Sequence, residues 1–321
     1  MIYFFSDPYI YSFENLYPLY LKCKENNVNC FFDAEFSHQG SNISKEAKSH
    51  KGKRNLSKIR KGELPQPKLV ILNQCWGLTG GIICKEFSSK GIPVITTEHG
   101  SPMFYYGTGY YRGNLRGSVS HPTWGKVGSE LMVKFGCKPE TVPALGSPRI
   151  DYYFSSREIK SKKNNDAIIF GTKKEGMKPF SKSLEKKIDI ICEKHNNVKF
   201  KGKVLGPMKV KKLESIDKDF SSDDFYNLFN NIGHAYFWFP SSLITIAKVM
   251  GCKTYALYSD SKCKFTSKYF NEHKDHIIPY TSSKPINTES NSIFLDNNLT
   301  NNGTENIFNY ILNEKSFNIN N

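Results

Sequence analysis

The feature that most constrains this chain is an alternation of short apolar runs with helical patterns, which occurs once in each half. In the first half, the apolar runs lie at residues 2–5, 29–33, 69–72 and 93–97, and helical spacing lies at 16–25 and 81–89. We also expect short strands at 124–128 and 142–145, around a helix at 130–135. Such a strand–helix–strand rhythm predicts a parallel sheet covered by helices.

The second half repeats the alternation after a polar, charged stretch at 155–165. The expected strands are 167–170, 198–200, 234–239, 253–258 and 276–280, and the expected helices are 181–195, 223–230, 242–250 and 305–313. We therefore predict two Rossmann-type α/β domains that face each other across a cleft, an N-terminal domain of residues 1–154 and a C-terminal domain of residues 155–321. The helix at 305–313 is an element that can pack back on the N-terminal domain.

The charge of the chain favours an acidic partner. The net charge is +15, and basic residues concentrate in an insertion at 37–62. This insertion is either a long basic loop or a loose helix, and it is either a surface insertion or a clamp on an anionic acceptor. The 14% aromatic content indicates a folded protein, because disordered chains lack aromatic residues.

Cysteine usage and the start of the chain bear on its compartment. None of the eight cysteines forms a Cys-x-x-Cys pair, which argues against a zinc site and favours a reducing compartment. The first residues predict a strand rather than a signal peptide, and no apolar run reaches the roughly 20 residues of a spanning helix. We expect a cytoplasmic protein with at most peripheral membrane contact.

Three loops that follow predicted strands carry candidate site residues, because ligands of parallel sheets bind at the carboxyl ends of strands. Ser241 and Ser242 stand between a strand and a helix, where helix N–H groups and hydroxyls bind phosphate; an ordinary helix cap is the alternative. His99 follows another strand and can act as a general base, oriented by Glu98. Arg149 can bind a phosphate or pair with Asp151.

The stretch after His99 is a candidate acceptor surface. It mixes aromatic, glycine and basic residues, among them Tyr110, Tyr111, Arg112 and Arg116. Aromatic rings stack on sugars or bases, and arginines hold phosphates; a glycine-rich surface loop is the alternative reading. Asp217 and Asp219 lie in a polar stretch, so we interpret them as a solvated loop and expect no metal site or cofactor.

The ordered motifs resemble a known family. They are His99-Gly-Ser-Pro102, Gly146-Ser-Pro-Arg-Ile-Asp151, and Ser241-Ser242 heading a helix that ends at Gly251. In order and spacing they resemble the CDP-glycerol glycerophosphotransferase group and related capsule-type transferases, which have the GT-B fold. The resemblance implies metal-independent transfer from a nucleotide-linked donor held mainly by the C-terminal domain, with His99 as base and Gly171, Thr172 and Lys173 near the donor phosphates.

Several alternatives remain open at this stage. Glu98 and the Phe239-Pro240 pair depart from the family pattern, so the transferred group is either a sugar or glycerol phosphate. The acceptor is an anionic cell-surface or capsule polymer, or DNA if the chain is a phage-type enzyme that glycosylates hydroxymethylated bases. A non-catalytic nucleic-acid-binding protein and a nucleotide-sugar epimerase are the competing functions.

Overall fold

The computed structural model describes residues 1–6, 10–34, 49, 55–73, 78–97, 119–134, 136–154, 164–171, 182–201, 213–216, 220, 222–237, 243–256 and 302–313. The chain divides into two compact units. The first unit comprises Met1–Arg157 together with Asn297–Asn321, and the second comprises Glu158–Asp296. The C-terminal segment thus returns to the first unit after the second is complete.

The first unit contains a five-stranded parallel sheet. Its strands are β1 (Ile2–Ser6), β2 (Cys30–Ala34), β3 (Leu69–Leu72), β4 (Val94–Thr96) and β5 (Val119–Ser120), in the order β2-β1-β3-β4-β5. The order reverses direction between β1 and β3, which makes that point the topological switch of this sheet. Strands β1 and β3 are buried along their whole length, as expected for parallel strands covered on both faces.

Among the described residues, five α-helices of the first unit precede the second unit in the chain: α1 (Ile10–Glu25), α2 (Asn55–Arg60), α3 (Leu78–Ser88), α4 (Lys126–Lys134) and α5 (Pro148–Phe154). The core between α1 and the sheet is aromatic and aliphatic, with Phe4, Phe13 and Phe32 buried against one another. Lysines occupy the last turn of α1, where their positive charge interacts favourably with the negative end of the helix dipole.

The second unit contains another five-stranded parallel sheet. Its strands are β6 (Ala167–Phe170), β7 (Val198–Lys201), β8 (Glu214–Ile216), β9 (His234–Phe237) and β10 (Lys253–Ala256), in the order β10-β9-β6-β7-β8. Helices α6 (Lys182–Lys194), α7 (Ser222–Asn231) and α8 (Leu243–Val249) lie between these strands in the chain, and α9 (Gly303–Asn313) follows in the first unit. Here the order reverses between β6 and β9, as in dinucleotide-binding folds.

The prediction of two parallel-sheet α/β domains is confirmed, and the strands at 69–72 and 167–170 have the predicted bounds. The prediction of a strand at 124–128 is wrong, because α4 begins at Lys126; residues 142–145 contribute an isolated bridge between Ala144 and Thr123. The two-residue strand β5 is too short to leave a periodic pattern. The strand expected at 276–280 lies outside the described residues.

One helix, α5, was not predicted, and α2 falls within the basic insertion, where a loose helix was one of the two expectations. Helix α5 begins at Pro148, and proline is well suited to the first position of a helix. Helix α2 ends the basic insertion, and its Leu56 and Ile59 are buried while its basic residues face outward. This part of the insertion is therefore a docked helix.

Candidate functional site

Two of the predicted phosphate-binding segments follow neighbouring strands of the second sheet in the chain. Strands β6 and β9 are neighbours in parallel register, with Phe170 paired to Phe237 at their ends. The chain leaves β6 at Gly171 and leaves β9 three residues before Ser241. Adjacent strands lie about 5 Å apart, so both segments start from the two sides of one crevice. This crevice is the switch point of the sheet, where ligands of open α/β sheets bind.

Of the residues predicted to bind phosphate in this unit, Gly171 lies within the described ranges. It is buried, and its N–H donates to the carbonyl oxygen of Lys201 at 2.7 Å. A Cβ at this position would lie 2.5 Å from Cζ of Phe200, closer than real Cβ contacts allow. Close packing against Phe200 therefore requires glycine here. As a result, the backbone at the end of this strand carries no side chain at Gly171.

An aromatic cluster lies beneath this edge. The rings of Phe170 and Phe237 stack with centroids 4.9 Å apart, and Phe170 also packs against Phe229 and Phe225 of α7. The buried interior below the switch point is thus apolar and ring-packed, which holds the ends of β6 and β9 in a fixed register.

The sequence analysis missed Lys201, which ends β7 beside Gly171. Its side chain is buried, its Nζ lies 3.5 Å from the carbonyl oxygen of Ile216, and the ammonium stands 5.0 Å from the ring centroid of Phe220. A buried lysine at the carboxyl end of a strand is unusual, since lysine is almost never fully buried without partners. The signal in the sequence was a lysine that follows Phe200 at the end of an apolar run.

The carboxyl edge of the first sheet has a different chemistry. Buried polar side chains stand at or just after the ends of its strands: Ser6, Asp33, Asn73, Thr96, Thr97, Ser120 and His121. Asn15 of α1 donates from Nδ2 to Oδ1 of Asn73 at 2.9 Å. Asp33 accepts from the hydroxyl of Tyr3 at 2.5 Å and from the N–H of Leu56 at 3.1 Å.

His121 is a buried histidine that the sequence analysis did not single out. Its Nδ1 lies 2.7 Å from the hydroxyl oxygen of Thr96, and the backbone N–H of His121 donates to the carbonyl oxygen of Thr141 at 2.6 Å. Burial lowers the pKa of His121 to about 4, so the imidazole is neutral near pH 7. Thr97 follows β4, and its N–H donates to Leu72 at 2.7 Å. The chain therefore reaches Glu98 and His99 directly from this edge.

Arg149 requires a correction. The sequence analysis assigned it to a donor phosphate or to Asp151, but its Nε donates to Oε2 of Glu14 at 2.6 Å, and both side chains are buried. The hydroxyl of Tyr153 donates to Oε1 of the same glutamate at 3.0 Å. Arg149 is thus part of an interior ion pair that fixes α5 against α1, and it lies in the first unit.

Asp151 serves the terminal helix instead. Its Oδ2 accepts from the N–H of Thr304, the second residue of α9, at 2.6 Å. A Cβ on Gly303 would lie 2.3 Å from the backbone nitrogen of Ser147, so the helix start rests directly on the chain at that residue. The Gly146–Asp151 motif therefore packs against the start of α9. A hydrogen bond between the hydroxyl oxygens of Tyr310 and Ser120, 2.9 Å apart, also holds this helix in place.

The remaining predicted site residues lie outside the described residues. They are Glu98, His99, Tyr110, Tyr111, Arg112, Arg116, Thr172, Lys173, Ser241 and Ser242, and the same holds for Asp217 and Asp219. Across the described ranges, no group of three or more His, Cys, Asp or Glu side chains could hold a metal ion. In that part of the chain, no helix is long and apolar enough to cross a membrane.

Comparison with known proteins identifies the fold. No family model matches the chain, and no curated protein matches it significantly. A UDP-N-acetylglucosamine 2-epimerase from Neisseria meningitidis, solved with UDP-GlcNAc, is 14% identical with a TM-score of 0.56 over 100% of this chain and 95% of its own. The putative UDP-N-acetylglucosamine 2-epimerase from Listeria monocytogenes is 11% identical, with a TM-score of 0.56 over 99% of this chain and 90% of its own.

A variant of the wall teichoic acid polymerase TagF is also similar in fold. It is 14% identical, with a TM-score of 0.52 over 86% of this chain and 75% of its own. At these identities the likeness concerns the fold, and it agrees with the two parallel sheets described above. The chain has the GT-B-like α/β fold.

Proposed function

We propose that this chain is a transferase that moves a group from a nucleotide-activated donor to a hydroxyl of an anionic acceptor. The proposal rests on one observation. The segments that contain Gly171 and Ser241 follow β6 and β9 in the chain, and these are the two strands on either side of the switch point. Strand order and sequence motif are independent signals, because the motif was recognised without knowledge of which strands are neighbours. Both select the carboxyl ends of the same two strands.

The donor site in this proposal belongs to the second unit. Gly171 would lie near the donor phosphates, and the backbone N–H groups of Thr172 and Lys173 and the hydroxyls of Ser241 and Ser242 would bind them. His99, which follows the carboxyl edge of the first sheet, would take the proton of the acceptor hydroxyl, with Glu98 as its orienting partner. Tyr110, Tyr111, Arg112 and Arg116 would contact the acceptor.

Proteins of the same fold support the donor class. The Neisseria meningitidis epimerase was solved with UDP-GlcNAc, and TagF polymerises wall teichoic acid. The net charge of +15 favours an anionic acceptor. The resemblance to glycerophosphotransferases implies transfer without a metal ion, so we expect activity to survive a chelator.

A thermal-shift screen against UDP-, CDP-, GDP- and ADP-linked donors tests the donor site, because a ligand that binds only the folded chain raises Tm. We expect one nucleotide class to raise Tm and the Ser241→Ala/Ser242→Ala double variant to lose that rise. The matched control is Ser88→Ala/Ser89→Ala, on exposed serines of the first unit. Equal Tm shifts in both double variants would remove the phosphate role of Ser241 and Ser242.

The acceptor is tested with the donor that the screen identifies. Transfer to teichoic-acid-type polymers and to duplex DNA with hydroxymethylated bases should be compared over a range of salt concentrations. Binding of a polyanion through many lysines weakens steeply with salt, whereas binding of a neutral acceptor does not. His99→Ala should abolish transfer and leave the donor-induced Tm shift intact; full transfer by this variant would contradict the base assignment.

A nucleotide-sugar epimerase is the second candidate, favoured by the TM-scores of 0.56 to two epimerase structures. The two functions differ in their need for an acceptor. Incubation with UDP-GlcNAc alone, followed by NMR of the sugar ring, would reveal inversion at C2 if the chain is an epimerase. An unchanged sugar ring, together with transfer in the presence of an acceptor, supports the transferase.

A further inference from the structure

Lys201 occupies a specific place in the topology of the second sheet. Counted within the unit, β6 is the first strand and β7 the second, and the order from β8 to β10 is 3-2-1-4-5. In folds with this order, the phosphates bind at the switch beside the first strand, and the end of the second strand contacts the nucleoside. That position commonly carries a carboxylate that accepts from a ribose hydroxyl; in this chain it carries Lys201.

The side chain of Lys201 is directed away from the phosphate crevice. Its Nζ lies 3.5 Å from the carbonyl oxygen of Ile216, which ends β8, on the side of β7 opposite to β6. The same ammonium stands 5.0 Å from the ring centroid of Phe220, and that ring packs edge-on against Phe225 at 5.1 Å. A cation and a half-buried aromatic ring therefore meet about one to two strand spacings from the switch point.

We propose that Lys201 and Phe220 form the nucleoside-recognition subsite of the donor site, in which Lys201 donates a hydrogen bond to an oxygen of the nucleoside and Phe220 packs against its base. The lysine ammonium donates hydrogen bonds but cannot accept them, so it binds acceptor oxygens. Ribose hydroxyl oxygens and base carbonyls share this chemistry. The inference rests on the proposed function, because it assumes that a nucleotide donor binds at the β6/β9 switch.

Calorimetric titration of the full chain with UDP, CDP, 2′-deoxy-UDP and inorganic pyrophosphate tests the subsite. Lys201→Met should weaken binding of the preferred nucleotide by roughly tenfold to a hundredfold, the range expected when a hydrogen bond from a charged group is lost. Pyrophosphate affinity should stay within about a factor of two, because the phosphates bind on the other side of β6. Lys201→Arg should retain most of the affinity, and comparing two ligands on one variant corrects for any unfolded fraction.

The control variant is Lys199→Met. Lys199 is in the same strand and, two residues earlier, on the same face, but it lies further from the carboxyl edge. It should bind every ligand as the wild type does. A loss of the UDP preference over 2′-deoxy-UDP in Lys201→Met identifies a ribose hydroxyl as the acceptor, and a loss of the preference between UDP and CDP identifies a base carbonyl.

Two results would overturn the inference and leave the proposed function intact. One is an unchanged nucleotide affinity in Lys201→Met; the other is an equal loss of nucleotide and pyrophosphate affinity, which would place the lysine at the phosphates. A wild-type chain that binds neither pyrophosphate nor any of the nucleotides would overturn both proposals together.

Discussion

The two units share an all-parallel sheet, but their interiors differ in chemistry. Among the described residues, the first unit buries an ion pair, Arg149 with Glu14, and polar groups at the end of every strand. In the second unit, the described buried polar side chains are Lys201 and Asn230, and the strand ends are covered by phenylalanine rings. The strand ends of the first sheet thus carry buried polar groups, whereas those of the second sheet are lined by apolar rings.

This difference indicates how the same architecture divides its tasks. Several polar groups in the first unit hydrogen-bond to each other or to the terminal helix, as Asp151 and Tyr310 show. In the second unit, Gly171 and aromatic residues line the strand ends at the switch point, and one buried cation stands beside them. Removing a polar group should therefore damage the first unit most, and adding volume should damage the second.

The largest effect is expected from Arg149→Met. The variant leaves the Glu14 carboxylate buried without its cation, and breaking a buried ion pair from one side typically costs about 3–5 kcal/mol of unfolding free energy. Urea denaturation measures this loss. Replacing both partners with apolar residues, as in Glu14→Leu/Arg149→Met, should recover much of the stability, since desolvation no longer opposes folding. A single variant as stable as the wild type would show that the first unit does not depend on its buried charges.

Acid should weaken the first unit through His121. Burial holds the pKa of this imidazole at about 4, below its ordinary value of 6.5. As pH falls below 6.5 the unfolded chain takes up the proton first, so stability that is fully present above pH 6.5 decreases until about pH 4. The loss at pH 4 is on the order of 3 kcal/mol. His121→Gln should flatten this dependence, which denaturation between pH 4 and 7 measures.

The second unit offers a comparison for the same experiment. Burial, with His195 nearby, lowers the pKa of His234 to about 4 as well, and the two rings lie 4.3 Å apart. His234 is half-exposed, however, and solvent screening reduces its contribution to stability. His234→Gln should therefore change the pH dependence less than His121→Gln. The reverse order would break the contrast between a polar first unit and an apolar second unit.

Gly171→Ala tests the second unit by adding volume. The new methyl group would meet the buried ring of Phe200, and overpacking of this kind typically costs about 1–3 kcal/mol. Phe200→Leu should relieve the clash, so the double variant should lose less stability than the sum of the two single variants. Additive losses in urea denaturation would mean that the glycine is not required by the ring.

The sequence predicted the repeated strand–helix rhythm because buried parallel strands such as β3 and β6 are continuous apolar runs. It did not predict β5, which has two residues, or the strand orders, which depend on contacts between distant segments. Arg149 was assigned to a ligand because its partner Glu14 lies 135 residues away in the chain. Lys201 was overlooked because a lysine at the end of an apolar run is usually exposed, whereas Ser241 and Ser242 were selected as candidates by a local motif.

The smallest effect is expected from Arg60→Met, at the end of the basic insertion in α2. Arg60 donates to Glu86 of α3 at 2.7 Å, but its side chain is 46% exposed, and exposed ion pairs typically contribute less than about 1 kcal/mol. The pair should weaken further with salt. Ile59→Ala on the same helix removes a buried side chain and should cost about 2–5 kcal/mol in urea denaturation. This ratio would show that α2 docks through its apolar face, with its exposed basic side chains directed outward; a larger loss for Arg60→Met would mean that the charges hold the helix in place.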